Sequence, residues 1–193
     1  VLEDIGGISG EYRRPNVRLL YGDPNCETIH IENRVRFRLD VSKIMFSSGN
    51  MDERIRMATI SNSKEIVVDL FAGIGYFSIP MAIYSRPKRI YAIEKNPLAY
   101  KYLCENIVLN HVTEIVEPML GDNRKIAPKN IADRVVMGYV KDTYRYLQTA
   151  IDALRDKTGI IHYHQACPNE LLPKNCLLYT SDAADEGLGV DLG

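Results

Sequence analysis

The stretch Ile66–Gly75, IVVDLFAGIG, decides how this chain is read. Its apolar run closes on Asp69 and then on two glycines, the pattern of a buried strand that ends in a tight turn before a helix. Gly73 and Gly75 carry no Cβ, so the backbone can reverse sharply there and a ligand can approach it closely. In an open parallel sheet such a ligand lies beyond the carboxyl ends of the strands, at the topological switch point. The turn lacks the third glycine of the dinucleotide fingerprint and the Lys-Ser/Thr pair of nucleoside triphosphate sites, which makes a phosphate ligand the weaker choice. Alone, the turn would also suit an ordinary strand-to-helix connection.

Its surroundings narrow the choice. RIYAIE (89–94), DRVVMGYV (133–140) and GIIHYHQA (159–166) repeat the apolar run at helix-length intervals. Asn96 and Pro97 supply an N-cap and first-turn proline for a helix to about Asn110, with Ala99, Leu103 and Ile107 on one face. A further helix over about Thr143–Asp156 places Thr143, Leu147, Ala150, Ile151 and Leu154 at helical spacing. Apolar strands alternating with amphipathic helices predict an α/β fold with a parallel sheet covered on both faces. Glu94 closes the second strand where it can accept two ribose hydroxyls, and Asp122 in the GDN of 121–123 can meet an exocyclic amine. With Asp69, Gly73, Gly75 and Asn123 they form a cofactor set that resembles class I S-adenosylmethionine-dependent, Rossmann-like enzymes.

Upstream, VRLLYG, TIHIEN and RVRFRLD alternate with period two and predict a small antiparallel β unit within residues 1–43. In RVRFRLD, Val35, Phe37 and Leu39 share one face, and Arg34, Arg36, Arg38 and Asp40 the other. Together with Arg13, Arg14 and Arg18 these arginines suit either a phosphate-backbone surface or a solvated sheet face. Asn50 followed by Glu53 has the spacing of a capped helix start, predicting a helix over Met51–Ala58. The cofactor domain is expected over 44–176.

With 193 residues, the chain suits one domain with a small appendage. No apolar run is long enough to cross a bilayer and no secretory leader is visible, so a soluble, cytoplasmic protein is expected. Val1 in place of Met suggests a missing start. Cys26, Cys104, Cys167 and Cys176 show no C-x-x-C pairing, arguing for free thiols over disulfides or a thiolate zinc site. The net charge of -1 is shaped by residues 177–193, which hold four acids and no Lys or Arg; without them 24 basic face 21 acidic residues, a balance of +3. That segment resembles sequencing-adapter read-through, or else an acidic disordered terminus, and is set apart from the domain.

FSSGNMDERIRMA, VVDLFAGIGYFSIPMA, YAIEKNP, ENIVLN, GDNR, IADRVVMGYV and IIHYH together resemble the archaeal and eukaryotic family that modifies the guanine-derived base beside the tRNA anticodon. One branch methylates guanine N1; the other transfers the 3-amino-3-carboxypropyl group of S-adenosylmethionine to the wyosine precursor of tRNA(Phe). Gly138, Tyr139 and Val140, where the methylating branch has Asn-Leu-Pro or a similar tripeptide, and the HYH of 162–164 are similar to the second branch. The resemblance implies that Ser47 and Arg54 lie near the methionine end of the cofactor, with Arg54 pairing its carboxylate; a charged helix face shared with Asp52, Glu53 and Arg56 is the alternative. Tyr139 or Tyr76 could stack on the flat base, and His162 is a substrate candidate; packing and strand-end roles stand beside these. His162, His164 and Cys167 lack the second cluster a metal needs, so no metal is expected. No catalytic base is named. The resemblance further implies a sheet continuing past its fifth strand, truncated here, and a tRNA-gripping amino-terminal domain beyond this chain. A guanine-N1 methyltransferase and a noncatalytic RNA-binding module of the same fold are the competing readings.

Overall fold

Continuous β-branched and apolar runs bounded by turns build the centre of the molecule. The structure, a computed structural model, describes residues 1–10, 12–140 and 142–166. The expectations for Cys167, Cys176 and residues 177–193 lie outside the described residues.

Among the described residues, five parallel strands form one sheet in the order β7-β6-β5-β8-β9: β5 (Ile66–Asp69), β6 (Arg89–Glu94), β7 (Val116–Leu120), β8 (Arg134–Met137) and β9 (Ile160–Tyr163). The order reverses at β5, whose neighbours are β6 on one side and β8 on the other, so the crevice opens above the IVVDLFAGIG turn. Strand alternation sorts the core into two layers. Val67, Ile90, Ala92 and Val136 face one way, onto α1 (Met51–Ala58), α2 (Ser78–Tyr84) and α3 (Pro97–Leu109) through Met57, Ile79 and Leu103. Val68, Ile93, Val135 and Met137 face the other way, onto α5 (Leu147–Ala153) through Ala150 and Ala153. A short α4 (Asn123–Ile126) follows β7.

The amino-terminal part is two separate hairpins. β1 (Leu2–Ser9) pairs with β2 (Arg14–Leu19), and β3 (Glu27–Glu32) with β4 (Val35–Asp40). β1 was not anticipated, because LEDIGGIS carries paired glycines and no alternation; its register shifts between Asp4 and Ile8, across those glycines. On β4 the predicted face is buried at Val35, Phe37 and Leu39, but Asp40 is buried too, holding Ser42 and Lys43 with its carboxylate. Asn50 makes no side-chain cap, which corrects the capped start; a 3-10 turn, Ser48–Asn50, leads into α1 instead. The helix expected over 143–156 is broken into a 3-10 turn at Thr143–Tyr146, α5, and a second 3-10 turn after Leu154, which is extended.

One device fixes β4 to the parallel domain. Asn106 Oδ1 accepts from Arg38 N at 2.6 Å while its Nδ2 donates to Arg38 O and Ile74 O, both at 3.1 Å. One turn later Asn110 repeats the pattern on Arg36, accepting at 2.9 Å and donating at 2.7 Å. Residues i and i+2 of a strand and i and i+4 of a helix advance by similar distances, roughly 6–7 Å, so two side-chain amides pair the outer edge of β4 as another strand would.

Candidate functional site

The carboxyl ends of β5, β6, β7 and β8 open into a cleft of about 1140 Å³. Gly73 turns its floor with φ +58°. Glu94 ties that turn to the end of β6: Oε2 accepts from Gly73 N at 2.8 Å and Oε1 from Asn96 N at 2.6 Å. Burial pushes the Glu94 carboxyl up, with the Asn96 and Gly73 amides opposing. The amides of Asn96, Gly73 and Lys95 leave lone-pair capacity on the carboxylate, so the ribose contact expected of Glu94 is chemically available.

At the end of β7, Asp122 caps α4 by accepting from Arg124 N at 3.1 Å and holds the Arg124 side chain at 2.6 Å and 3.0 Å. That guanidinium and the capped amide hold its carboxyl well below the usual range. Asn123 donates to Leu70 O at 2.7 Å, yet its buried Oδ1 has no hydrogen-bond partner. An orphaned buried acceptor in a residue that lines a cleft is a candidate partner for a donor from a ligand.

The structure brings Ser47, Arg54, Gly73, Glu94, Asp122, Asn123, Tyr139 and His162 around this one cleft. Asp69 and Gly75 do not line it. Asp69 is 1% exposed, takes Ser78 Oγ at 2.6 Å and Phe71 N at 3.2 Å, and has its carboxyl pushed up to about 6 by burial. Gly75, at φ +101°, is required where a Cβ would stand 2.4 Å from Ile79. Both therefore shape the turn from behind.

Three of these side chains have partners within the protein. Arg54 is not a solvated charge: it is 4% exposed, forks Glu32 at 2.6 Å and 2.7 Å, donates to Ser47 O at 2.9 Å, and lies over Phe46. His162 is buried with Nε2 at 2.5 Å from Arg134, which itself forks Glu65, so that ring nitrogen accepts from a guanidinium within the sheet. Tyr76 commits its hydroxyl to Met45 O and its ring to Phe37 and Phe46. Tyr139, by contrast, stacks on Phe71 at 5.0 Å and meets Tyr146 edge-on at 5.9 Å.

Other cleft residues escaped the sequence reading. Glu53, taken as a cap, reaches His164 Nε2 at 2.7 Å, and the His164 ring stacks on Phe77. Arg56 beside it and then His164 hold the Glu53 carboxyl down to about 2. Phe71 and Tyr146 gave no signal because aromatic positions beside a strand end usually denote packing. Among the described residues no His, Cys, Asp and Glu gather as a metal-binding group, and no helix is long and apolar enough to cross a membrane.

Residues 28–192 match the family described as the TRM5/TYW2 methyltransferase domain. The chain belongs to this family. A TRM5/TYW2 relative from Methanocaldococcus jannaschii, a tRNA(Phe) (4-demethylwyosine(37)-C(7)) aminocarboxypropyltransferase, is 54% identical over 165 residues, covering 86% of this chain and 65% of its own length. The solved structure of M. jannaschii TYW2 in complex with AdoMet superposes with a TM-score of 0.80 at 51% identity, over 88% of this chain and 76% of that one. Pyrococcus abyssi Trm5b, a tRNA (guanine(37)-N(1))-methyltransferase, is 43% identical over 81% of this chain and 46% of its own. The chain thus spans less than two thirds of the length of these curated relatives. The TRM5/TYW2 match takes in the whole parallel sheet and nearly all of β3–β4; the β1–β2 hairpin precedes it.

Proposed function

We propose that this chain carries the S-adenosylmethionine-dependent transfer of a 3-amino-3-carboxypropyl group to the wyosine-precursor base of tRNA(Phe), in the cytoplasm and without a metal. The observation that carries the cofactor assignment is the unpartnered, buried Oδ1 of Asn123 on the wall of a switch-point cleft that also presents Glu94 and Asp122. Asn123 and Asp122 would hold the adenine edge, whose exocyclic amine satisfies two acceptors, and Glu94 the ribose. When bound, the cofactor supplies a sulfonium with three electrophilic carbons.

The chain's own part is orientation. Tyr139 and Phe71 stack at 16° between planes, and Tyr146 holds both edge-on, so a rigid aromatic face stands at the end of β8 for a flat, splayed-out base. A nucleophile displaces at whichever sulfonium carbon is held in line, so this placement and the fixing of the amino-acid end select the group that leaves. The aminocarboxypropyl reading is supported by Gly138-Tyr139-Val140 at this strand end and by the names of the most similar curated relatives. The methyltransferase reading draws on the 43% identity to Trm5b. Incubation with S-adenosylmethionine and precursor-containing tRNA(Phe), followed by chromatography of the nucleoside by-product, distinguishes them. Methylthioadenosine is the expected product; S-adenosylhomocysteine would establish the rival.

A further inference from the structure

With Arg54 committed to Glu32, the amino-acid end of the cofactor needs another cation. Among the described residues, four Lys or Arg side chains line the cleft. Arg54 forks Glu32, Arg56 forks Glu53, and Lys95 lies 3.6 Å from Asp122. Arg13 is the fourth, half-buried, and among the described residues it has no acidic partner. It sits at the tip of the β1–β2 hairpin, in a turn closed by its own N–H on Gly10 O at 3.2 Å, with φ +50°.

The tip is placed by the same chain of bonds that organises the cofactor wall. Glu94 accepts from Asn96 N, Asn96 Nδ2 reaches Tyr12 O at 3.4 Å, and the next residue is Arg13. Arg13 lines the same cleft as Tyr76, Glu94, Ser47 and Arg54. A ligand whose ribose lies at Glu94 extends its 5′ substituent from there. In S-adenosylmethionine that substituent is the amino-acid arm.

We infer that Arg13 pairs the carboxylate of the cofactor's amino-acid arm, so that the β1–β2 hairpin, lying before the family match, closes over that arm and fixes the group to be transferred. The inference rests on the cofactor assignment above. A planar guanidinium can fork a carboxylate through two parallel N–H bonds, and a half-buried setting strengthens the pair. Gly7 and Gly10, at positive φ with open space around them, allow the tip to adjust.

The test is calorimetric, on this full chain, with S-adenosylmethionine, decarboxylated S-adenosylmethionine and methylthioadenosine as probes. The unmodified protein should bind S-adenosylmethionine about tenfold more tightly than the decarboxylated form, a ratio worth about 1.4 kcal/mol. Arg13→Gln should remove that preference while changing methylthioadenosine affinity less than about twofold, and Arg13→Lys should keep part of it. The preference is a ratio within each variant, so a partly unfolded sample lowers both affinities and leaves it readable. Arg54→Gln should lower the melting temperature and retain the preference. A preference that survives in Arg13→Gln, or one lost only in Arg54→Gln, overturns the assignment of Arg13. Equal binding of the carboxylated and decarboxylated forms by the unmodified protein overturns it too, leaving the cofactor site intact; binding of none of the three overturns the cofactor assignment along with it.

Discussion

At the scale of single residues, the buried acid behind the turn and the orphaned amide in front of it do different work. Asp69 binds its proton more readily folded, near pH 6, than unfolded, near 3.8. Between those values the folded state holds the extra proton, so this group's contribution to stability falls as pH rises through that window. Asp69→Asn keeps acceptors for Ser78 and Phe71 without the charge. Its stability relative to the unmodified chain should rise from pH 4 to pH 7 by up to roughly 3 kcal/mol in urea titrations; parallel curves would contradict the burial of a charge there. Asn123→Ala loses the bond to Leu70 and should cost roughly 1–2 kcal/mol while also weakening S-adenosylmethionine binding. A calorimetric affinity unchanged by this substitution would remove Asn123 from the cofactor site. That Glu94, Asp122 and Asn123 meet at one cleft was legible in the sequence, because each lies at or just beyond the end of a strand on the side where a parallel sheet opens. The pairing of Arg54 was not, because Glu32 lies twenty-two residues away at the end of β3, and spacing carries no record of such a pairing.

At the scale of elements, the parallel sheet was readable from its apolar runs, whereas the attachment of the hairpins was not. Period-two alternation marks which face of β4 is buried, but nothing in RVRFRLD shows that Asn106 and Asn110 pair its edge. Asn106→Ala leaves the Arg38 amide short of its partner and should destabilise by roughly 2–3 kcal/mol, more than Asn110→Ala at its exposed position. Hydrogen exchange at the Arg36 and Arg38 amides should accelerate in each variant respectively; protection left intact would show that α3 does not hold this edge. The Arg54–Glu32 pair joins β3 to α1 in the same way. Glu32→Gln combined with Arg54→Gln should recover a substantial part of the stability lost in Arg54→Gln, since the larger penalty comes from leaving one buried charge alone.

For the whole molecule, sign and pairing of charge separate positions that the sequence grouped together. Arg18 is paired with Glu3 and Arg38 with Glu27 and Glu105, while Arg14, Arg34 and Arg36 are exposed and show no ion pair among the described residues. If tRNA lies along these hairpins, Arg34→Ala with Arg36→Ala should flatten the salt dependence of tRNA binding by about one to two released ions, and Arg18→Ala by less. Equal slopes for all variants would make this an ordinary solvated face. The parallel sheet was legible because its apolar strands recur at helix-length intervals. The chemistry was less so, because one architecture in this family serves two group transfers and the choice depends on how a sulfonium is presented. Two preparations of S-adenosylmethionine, one labelled in the methyl carbon and one in the carboxyl carbon, address that choice when each is incubated with this chain and precursor-bearing tRNA(Phe). The account predicts label retained on tRNA only from the carboxyl-labelled preparation; methyl label on the tRNA, with none from the carboxyl carbon, would contradict it.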